Sequence, residues 1–582
     1  MTAKLQETGV DPRQREYLLD FLAILFVLLT PYLNFIHSNE FIYEAVNAIV
    51  IGAFLALAAV LATLLRWARS ELLRVCILAF LLLLFLDIQL YWFHSWIWKL
   101  AVGALVLGRL SWHGRRHLSV FLTAVFGTMT AATIVLIVWD GTIVRDSNAH
   151  PSAAGGNSDL PVYVHIILDE FMGPEGFDPA VASQRAIRNE IKSFFADRGF
   201  RLFGRAYSPY FYSHDSIPAA LNMTVTRETG NFHEMDGLGF AINRNRYFES
   251  LRSRGYRIHV YQSSFMDYCT SSPVDIAKCV TYDYHSSTSA SLATLASADK
   301  ARLVLTMYAS LGTLSDVVFA AYKELRSASP ALGRALPEWV EWSDKLGPIP
   351  VMPVFDELIR DVASAQGGSM FFAHLLIPHS PYSLDSACRI RRPVMMWKEN
   401  SLKERPSSGH ANTDASRHAR YEAYIPQLRC ALRKVQSLLD SLKARGLYDD
   451  ATIVIHGDHG SRIVRTEPGL LNRRWLIPQD YTDAFLALYA VKSPEISPGY
   501  DPRPAALPDL IRALAQGEMD APGGPGGGRP PEVFLQPAPS IDLARAILRI
   551  DPSPDLVRIP VPCGADGAPA TERPAMCPAK AD

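Results

Sequence analysis

The apolar residues of this 582-residue chain are concentrated in its first quarter, before Trp139. They form five long stretches there, at residues 17–36, 41–65, 71–92, 95–110 and 117–139. A helix needs ~20 predominantly apolar residues to cross the ~30 Å hydrocarbon core of a bilayer, and four of the stretches meet that length. The fourth stretch is shorter and contains Lys99, which can snorkel from a position near its end. The pattern predicts a helical transmembrane domain with about five spans over residues 1–139.

Positive charge alternates along the short connections between these stretches. Arginines precede the first stretch, surround the second connection and fill the fourth: Arg13 and Arg15, then Arg66, Arg69 and Arg74, then Arg109, Arg115 and Arg116. Residues 37–40 and 93–95 carry neither Lys nor Arg. Because cytoplasmic loops are enriched in Lys and Arg, the alternation predicts a cytoplasmic N-terminus and puts everything after Trp139 outside. The alternative, four spans with a buried or re-entrant fourth stretch, would put the large domain inside and break the alternation.

The seven cysteines are an independent indication of the compartment. Cys76 lies in a predicted span. The other six lie in the large domain, as two pairs that are close in sequence and one pair that is left over: Cys269 and Cys279, Cys563 and Cys577, and Cys388 and Cys430. An even set suits disulfides in an oxidising compartment, and the absence of any Cys-x-x-Cys spacing argues against the zinc alternative. Pairing within the two neighbouring pairs is the simplest arrangement, but the sequence does not fix it.

Beyond the apolar part, residues 140–161 predict a linker and residues 162–550 a globular domain. Strands are predicted at 162–168, 256–262, 370–377, 451–456 and 484–491, and helices at 185–198, 302–325, 420–445 and 541–550. Strands that alternate with helices indicate an α/β domain with a largely parallel central sheet. Residues 498–539, rich in Pro and Gly, predict a mobile insertion or loop, and residues 551–582 a C-terminal tail. The net charge of −1, from 57 basic and 58 acidic residues, gives no indication of a nucleic-acid partner.

Polar residues follow two of the predicted strands at the point where each ends. Asp169 and Glu170 follow the first strand, and Asp458 and His459 follow the fourth between two glycines. Ligands of parallel sheets bind at the carboxyl ends of strands, and divalent metals take carboxylate and imidazole ligands. The first cluster alone is better explained by a helix cap, and a polar turn also fits the second, whereas the two together predict a metal site.

A candidate nucleophile lies in the segment 213–221, SHDSIPAAL, which predicts a loop that runs into a helix. Ser216 would lie near the N-cap with Pro218 in the first turn, so that its hydroxyl faces the helix dipole and a bound metal could deprotonate it. The alternative is a plain capping serine. His379 follows the third predicted strand and fits a ligand-facing role, whereas His374 lies within the apolar run and is predicted to be a core histidine.

These motifs together resemble the alkaline phosphatase and sulfatase superfamily. More closely, they resemble its membrane-anchored transferase branch, which includes lipoteichoic acid synthases and lipid A phosphoethanolamine transferases. The resemblance covers the spans and residues 162–550. It implies an alkaline-phosphatase-like fold and one or two divalent ions, Mn, Zn, Mg or Ca. The metal ligands that it implies are Asp169, Glu170, Ser216, Asp458 and His459.

The resemblance also assigns the catalytic groups. Ser216 takes the position of the nucleophile in the sulfatase motif Cys-x-Pro-Ser-Arg, and Ser213 is the alternative, since some members place the nucleophile a few residues earlier. His379 would contact the anionic group of the substrate. Ala219 and Ala220 replace the Ser-Arg of the sulfatase motif, which argues against formylglycine and strict sulfatase activity. The transferases usually have threonine where this chain has serine.

The function implied is transfer of a phosphoryl-containing group, of the phosphoglycerol or phosphoethanolamine type, to an envelope glycan or lipid through a covalent serine intermediate. The alternatives are a hydrolase of sulfate or phosphate esters and a non-catalytic envelope-assembly protein. We expect a multi-pass protein of the inner (plasma) membrane, with a periplasmic or extracellular catalytic domain and a lipid or glycan substrate at the membrane surface. The first span is expected to remain as a signal anchor, because no small-residue cleavage site follows it.

Overall fold

The structure is a computed structural model. It describes residues 12–38, 46–140 except 69, 91–96 and 116, 158–282 except 226–231, 236–238 and 271–273, scattered positions between 296 and 332, 348–391, 414–521 except 471, 524–525, 531–535 and 557–561. The chain divides into two compact units. The first contains residues 1–145, 285–344 and 393–395, and the second contains residues 146–284, 345–392 and 396–582.

The first unit contains five helices near the N-terminus: α1 (Pro12–Ser38), α2 (Val46–Ala68), α3 (Glu71–Leu90), α4 (Ile97–His113) and α5 (Leu118–Asp140). Helix α1 packs against α2, α3 and α5, and apolar side chains such as Ile24 and Leu122 are buried between them. Polar pairs also join the helices inside this bundle. The hydroxyls of Thr30 and Thr130 lie 2.9 Å apart, and Arg74 pairs with Asp20 at 2.8 Å.

Three of the described helices are long and apolar enough to cross a membrane, at Gln14–His37, Val46–Ala68 and Leu118–Val138. Helix α4 has only 17 residues and contains Lys99 and Arg109. Helix α3 carries an acidic residue in its first turn and two further charges along its length. The predicted count of about five spans is therefore not supported, because one predicted span is too short and another carries several charges.

The second unit contains the predicted α/β domain. Its strands are β1 (Tyr163–Leu168), β2 (Arg201–Tyr207), β3 (Phe232–Met235), β4 (Gly239–Ile242), β5 (Arg257–Ser263), β6 (Met266–Asp267), β7 (Ile276–Tyr282), β8 (Ser369–Leu375), β9 (Thr452–His456), β10 (Tyr489–Lys492), β11 (Gly499–Ala506), β12 (Glu532–Leu535) and β13 (Val557–Pro560). Eight of them form one sheet in the order β11-β2-β10-β9-β1-β8-β5-β7. Only β10 runs antiparallel to its neighbours in this sheet, so the predicted largely parallel sheet is confirmed.

Helices cover both faces of this sheet. They are α6 (Ala182–Ala196), α7 (Ser213–Leu221), α8 (Arg246–Ser253), α9 (Val351–Ala363), α10 (Asp414–Ala444), α11 (Pro478–Phe485) and α12 (Leu507–Gln516). Alternate residues of β1 enter two different cores. Val164 and Ile166 pack with α6, α9 and α10, and Tyr163 and Ile167 pack with α7, α8 and α12. A strand that is buried on both faces is apolar along most of its length, which explains the composition of β1, where His165 interrupts the apolar run.

Two predicted boundaries are wrong. The predicted strand 484–491 is a strand only from Tyr489, because α11 extends to Phe485. The predicted loop at 498–539 contains β11 and α12. The prolines of β11 are tolerated because β11 is the edge strand and pairs only with β2. The predicted helix 541–550 lies outside the described residues, and only scattered positions of the predicted helix 302–325 are described.

Two disulfides join Cys269 to Cys279 and Cys388 to Cys430. The first is the neighbouring pair that the sequence suggests, and the second joins the two cysteines that were left over. The predicted partners Cys563 and Cys577 lie outside the described residues.

Candidate metal centre and nucleophile

The site lies where three parallel strands end side by side. Strand β1 lies between β8 and β9, with Leu168 in register with Leu375 and Ile167 in register with His456. The residues that follow are joined by hydrogen bonds. The amide of Asp169 donates to the carbonyl of Leu375 at 3.0 Å, and the amide of Glu170 donates to Oδ1 of Asp458 at 3.1 Å. The two acidic clusters are thus adjacent, as their strand-end positions predict.

The inner cluster consists of Asp169, His374 and Asp458, which are all buried and offer ligand atoms within 4.8 Å of one another. Nε2 of His374 lies 3.3 Å from Oδ2 of Asp169. His459 completes the cluster, with Nε2 at 3.0 Å from Oδ2 of Asp458 and 3.9 Å from Oδ1 of Asp169. This donor set of two carboxylates and two imidazoles is one that zinc and other borderline divalent metals bind.

The electrostatics keep both carboxylates of the inner cluster ionised. Burial and the charge of Asp458 would each raise the pKa of Asp169, but the three surrounding histidines outweigh them and lower it. Burial also opposes ionisation of Asp458, but the surrounding positive charge, to which Arg462 contributes, brings its pKa well below the usual range. Two ionised carboxylates in a buried site need a cationic partner, because burial of an uncompensated charge is costly.

Two further observations fit a divalent metal here. Oδ1 of Asp169 and Nδ1 of His374 have no hydrogen-bond partner among the described residues. Nδ1 of His459 lies 2.9 Å from the carbonyl of Gly460, to which it donates, so the lone pair of Nε2 points towards the carboxylates. This arrangement is the usual one for a metal-binding histidine, whose other ring nitrogen is held by a backbone carbonyl.

The hydroxyl that faces the inner cluster is that of Ser213. Its Oγ lies 3.2 Å from Nε2 of His459 and 3.5 Å from Oδ2 of Asp169. Ser213 is the first residue of α7 and is buried. The N-terminus of a helix carries partial positive charge, which favours an anionic oxygen at this position.

Ser216 has a different position. Its Oγ donates to the backbone carbonyl of Asp458 and lies 2.7 Å from Oγ of Ser208, which donates to it. Ser216 therefore holds the loop that carries Asp458. The sequence predicts that the helix starts at Ser216, whereas α7 begins at Ser213, one turn earlier. As a result Ser213, and not Ser216, lies at the helix N-terminus that faces the inner cluster.

The outer cluster consists of Asp169, Glu170 and His379. Glu170 has a positive φ of 63°, and its backbone is held by the bond to Asp458 and by the hydroxyl of Tyr424, which donates to its carbonyl at 2.7 Å. Its carboxylate lies 3.6 Å from Nε2 of His379 and 3.8 Å from Nη1 of Arg462. The side chains of His379 and Arg462 are 22% and 12% exposed, so these two groups lie where the site reaches solvent.

Three residues of the site are not among those predicted. His374 belongs to the inner cluster and is not only a core residue; the signal for it is a histidine next to the last residue of a strand that ends at the site. Arg462 follows the glycine-bounded turn, and its Nη2 lies 2.6 Å from Nε2 of His459. The hydroxyl of Tyr268 has no partner among the described residues, and the ring packs edge-on against His374 with 5.9 Å between centroids. No signal in the sequence marks Tyr268.

No protein-family model matches the sequence, and no curated protein sequence matches it. Solved structures do match. The phosphonate monoester hydrolase of Agrobacterium radiobacter is 12% identical with a TM-score of 0.37, over 66% of this chain and 81% of that one. The C-terminal periplasmic domain of EcEptC from Escherichia coli, in complex with Zn, is 10% identical with a TM-score of 0.37, over 72% of this chain and 97% of that one. A Vibrio parahaemolyticus protein in the alkaline phosphatase superfamily is 11% identical with a TM-score of 0.32, over 66% and 74%.

Proposed function

We propose that this chain is a membrane-anchored, metal-dependent enzyme that transfers a phosphoryl-containing group to an envelope glycan or lipid through a covalent intermediate on Ser213. The position of the Ser213 hydroxyl carries this proposal. It is buried at the N-terminus of α7, within 3.5 Å of Asp169 and His459, two of the candidate metal ligands. A hydroxyl in such a place is activated as a nucleophile rather than used as a cap.

The metal would be held by Asp169, His374, Asp458 and His459. When bound, it would act as a Lewis acid that lowers the pKa of a nearby hydroxyl and stabilises negative charge on phosphoryl oxygens. Asp169 would have a second role. Its Oδ2 accepts from the Ser213 hydroxyl at 3.5 Å and orients it.

The chemistry of the chain's own residues follows from these positions. Oγ of Ser213 passes its proton to Oδ2 of Asp169, to which it donates, and attacks phosphorus. The bond from phosphorus to the leaving oxygen breaks, and His379 at the solvent side donates a proton to that oxygen. An acceptor hydroxyl then gives its proton to His379 and attacks the phosphoseryl group. The bond to Oγ of Ser213 breaks, and Oγ takes back the proton held by Asp169, which regenerates the serine. The N-terminus of α7 stabilises the negative charge on Oγ in both steps.

The setting supports a lipid donor on the outer side of the membrane. Three helices are long and apolar enough to span a bilayer. The two disulfides fit an oxidising compartment such as the periplasm or the cell exterior. Phosphatidylglycerol and phosphatidylethanolamine are therefore the donors to examine first, with the protein in the inner (plasma) membrane.

The test uses the full chain in lipid nanodiscs, loaded with divalent metal and incubated with phospholipid labelled in the headgroup. Ser213→Ala should abolish turnover and remove any phosphoryl adduct found by mass spectrometry on the peptide that contains residue 213. Ser216→Ala is the matched control, and it should retain the adduct. Turnover by Ser213→Ala at the wild-type rate, or an adduct on Ser216, would overturn the assignment.

The products separate the alternatives. Label on a glycan or lipid acceptor supports transfer, whereas release of a free headgroup with water as acceptor supports a phosphate or sulfate ester hydrolase. A full chain that binds no divalent metal and forms no adduct supports the non-catalytic envelope-assembly role.

A further inference from the structure

Arg462 occupies a position that the proposed chemistry does not use. Its Nη2 donates to Nε2 of His459 at 2.6 Å, and its Nη1 lies 3.8 Å from a carboxylate oxygen of Glu170. The guanidinium also lies over two aromatic rings, at 5.1 Å from the ring centre of Phe211 and 5.5 Å from that of Tyr212. The side chain is only 12% exposed, so these contacts enclose it.

The backbone holds Arg462 in place independently of its side chain. Its φ is +54°, in the left-handed region that residues other than glycine seldom adopt, and its amide donates to the carbonyl of Asp483 at 2.9 Å. Two residues earlier, the amide of Gly460 donates a hydrogen bond to the carbonyl of Ala484 at 3.0 Å and holds the loop in the same way. The loop therefore fixes where the side chain of Arg462 begins, and the guanidinium alone is left to move.

The contact with His459 conflicts with metal binding. Nδ1 of His459 donates to Gly460, so Nε2 has a single lone pair to offer. That lone pair can accept a hydrogen bond from Arg462 or coordinate a metal, but it cannot do both. Ligation by His459 therefore requires the guanidinium to leave.

The displaced guanidinium has a partner nearby. Glu170 is buried next to the solvent-reaching His379, and its carboxylate also accepts from the amide of Ser380 at 3.3 Å. Cation–π attraction reaches ~6 Å, so the displaced guanidinium keeps its contact with Phe211 or Tyr212 if it moves across the ring faces rather than away from them. A guanidinium at this rim presents two parallel donors, which is the geometry that binds phosphate-type oxygens.

We propose that Arg462 exchanges between two partners. It competes with the metal for His459, and once displaced it binds the non-bridging oxygens of an anionic substrate at the rim. This inference rests on the proposed function, because it assumes a metal at the inner cluster. It has a consequence of its own: an anion that draws Arg462 to the rim must raise the affinity for the metal, because binding linkage is reciprocal.

The experiment measures metal affinity rather than turnover. The full chain in detergent, stripped with a chelator, is titrated with Zn²⁺ and separately with Mn²⁺, each with and without inorganic phosphate. Arg462→Met should bind metal about tenfold more tightly than the wild type, which is the effect expected when one charge-assisted hydrogen bond that opposes binding is removed. Phosphate should tighten metal binding by the wild type and have no such effect on Arg462→Met.

Arg465→Met is the matched control, since Arg465 is three residues further on, pairs at 3.3 Å with the exposed Asp414 and should change neither quantity. Arg462→Lys provides a second variant in case Arg462→Met does not fold, and its metal affinity should lie between those of Met and Arg. Unchanged or weaker metal binding by Arg462→Met would overturn the competition, and no effect of phosphate on the wild type would overturn the anion exchange. If the wild type binds neither metal, the proposed function fails instead, and the two failures are thus distinguished.

Discussion

The phenol of Tyr268 is a buried donor beside the inner cluster. Burial, together with the charges of Asp458 and Asp169, raises its pKa well above the usual range, so it stays protonated at any physiological pH. A buried hydroxyl without a hydrogen-bond partner lowers the stability of the fold, so its presence needs a functional explanation. Here that explanation would be a hydrogen bond to an oxygen of the substrate.

We predict that Tyr268→Phe lowers turnover by about 10–100-fold while metal affinity stays unchanged, because a hydrogen bond made to the charged transition state is lost. The thermal unfolding temperature should stay the same or rise, since an unsatisfied group is removed. Tyr282→Phe is the control, because the Tyr282 hydroxyl accepts from the amide of Leu376 at 3.0 Å and its loss should reduce stability instead. Full turnover by Tyr268→Phe would contradict the role.

At the scale of single residues, strand ends were sufficient to predict part of the site. Asp169 and Asp458 are adjacent because β1 and β9 are paired and parallel, and a sequence pattern can predict both strands. Whether Ser213 or Ser216 faces the site depends on where α7 begins, to within one turn. The sequence does not fix that start, because the N-cap residue Tyr212 is not a capping residue type. Tyr268 and Arg462 reach the site through tertiary packing, which the local sequence does not encode.

At the scale of elements, strand β5 carries a partly buried histidine. His259 stacks on Phe371 with 5.1 Å between ring centres, and its Nε2 has no partner among the described residues. Burial, aided by the charges of Arg257 and Lys278, lowers its pKa to about 4. An unfolded histidine titrates near ~6.5. Between these values the unfolded chain binds more protons than the folded one, so stability is lost as pH falls from ~6.5 to ~4.

We predict that this histidine destabilises the second unit by up to about 3 kcal/mol on acidification through that window. His259→Gln should flatten the pH dependence of the urea unfolding midpoint between pH 6.5 and 4. His418→Gln, which changes an exposed histidine, should leave the dependence as it is. An equally steep dependence in His259→Gln would show that other groups cause it.

The disulfide between Cys388 and Cys430 ties the segment that follows His379 to helix α10. The same helix holds that segment through Gln427, whose Nε2 donates to the carbonyl of His379 at 2.7 Å. We predict that Cys388→Ala together with Cys430→Ala lowers the free energy of unfolding by about 2–4 kcal/mol, as expected for loss of a natural disulfide. It should also weaken the binding of anionic substrate, because His379 loses one of its supports. Cys76→Ala, which changes a free cysteine, should do neither.

The elements themselves were largely predictable from the sequence. Fully buried strands such as β1 and β9 are short, apolar and β-branched, and that pattern is specific. The first half of the Pro- and Gly-rich segment was not predictable, because β11 is a strand only by virtue of lying at the sheet edge beside β2. Local composition predicts a loop there, and tertiary pairing overrides it.

At the scale of the whole molecule, each unit has its own core and its own chemistry. The first unit buries polar pairs between apolar helices, such as Asn34 with Gln89 at 3.0 Å and Asp20 with Arg74 at 2.8 Å, which hydrocarbon would otherwise penalise. The second unit has three of its buried carboxylates, those of Asp169, Glu170 and Asp458, directly after β1 and β9. Residues 285–344, which lie between β7 and α9 in the sequence, belong to the first unit. Tyr308 in that insertion stacks edge-on against Tyr32, with 5.4 Å between ring centres.

The side of the membrane on which the second unit lies depends on whether the number of spans is odd or even. Three of the described helices meet the length and apolarity of a span, and three is an odd number. With Arg13 and Arg15 at the start of α1, an odd number of spans predicts that the second unit lies outside the cytoplasm. We predict that a C-terminal fusion to a bacterial alkaline phosphatase reporter is active and that a fusion to green fluorescent protein is dark. The same reporters fused after Arg69, between α2 and α3, should give the opposite result, because that connection is expected to be cytoplasmic.

A fluorescent C-terminal fusion would mean an even number of spans. In that case the two disulfides would face a reducing compartment and the proposed lipid donor would lie on the other leaflet.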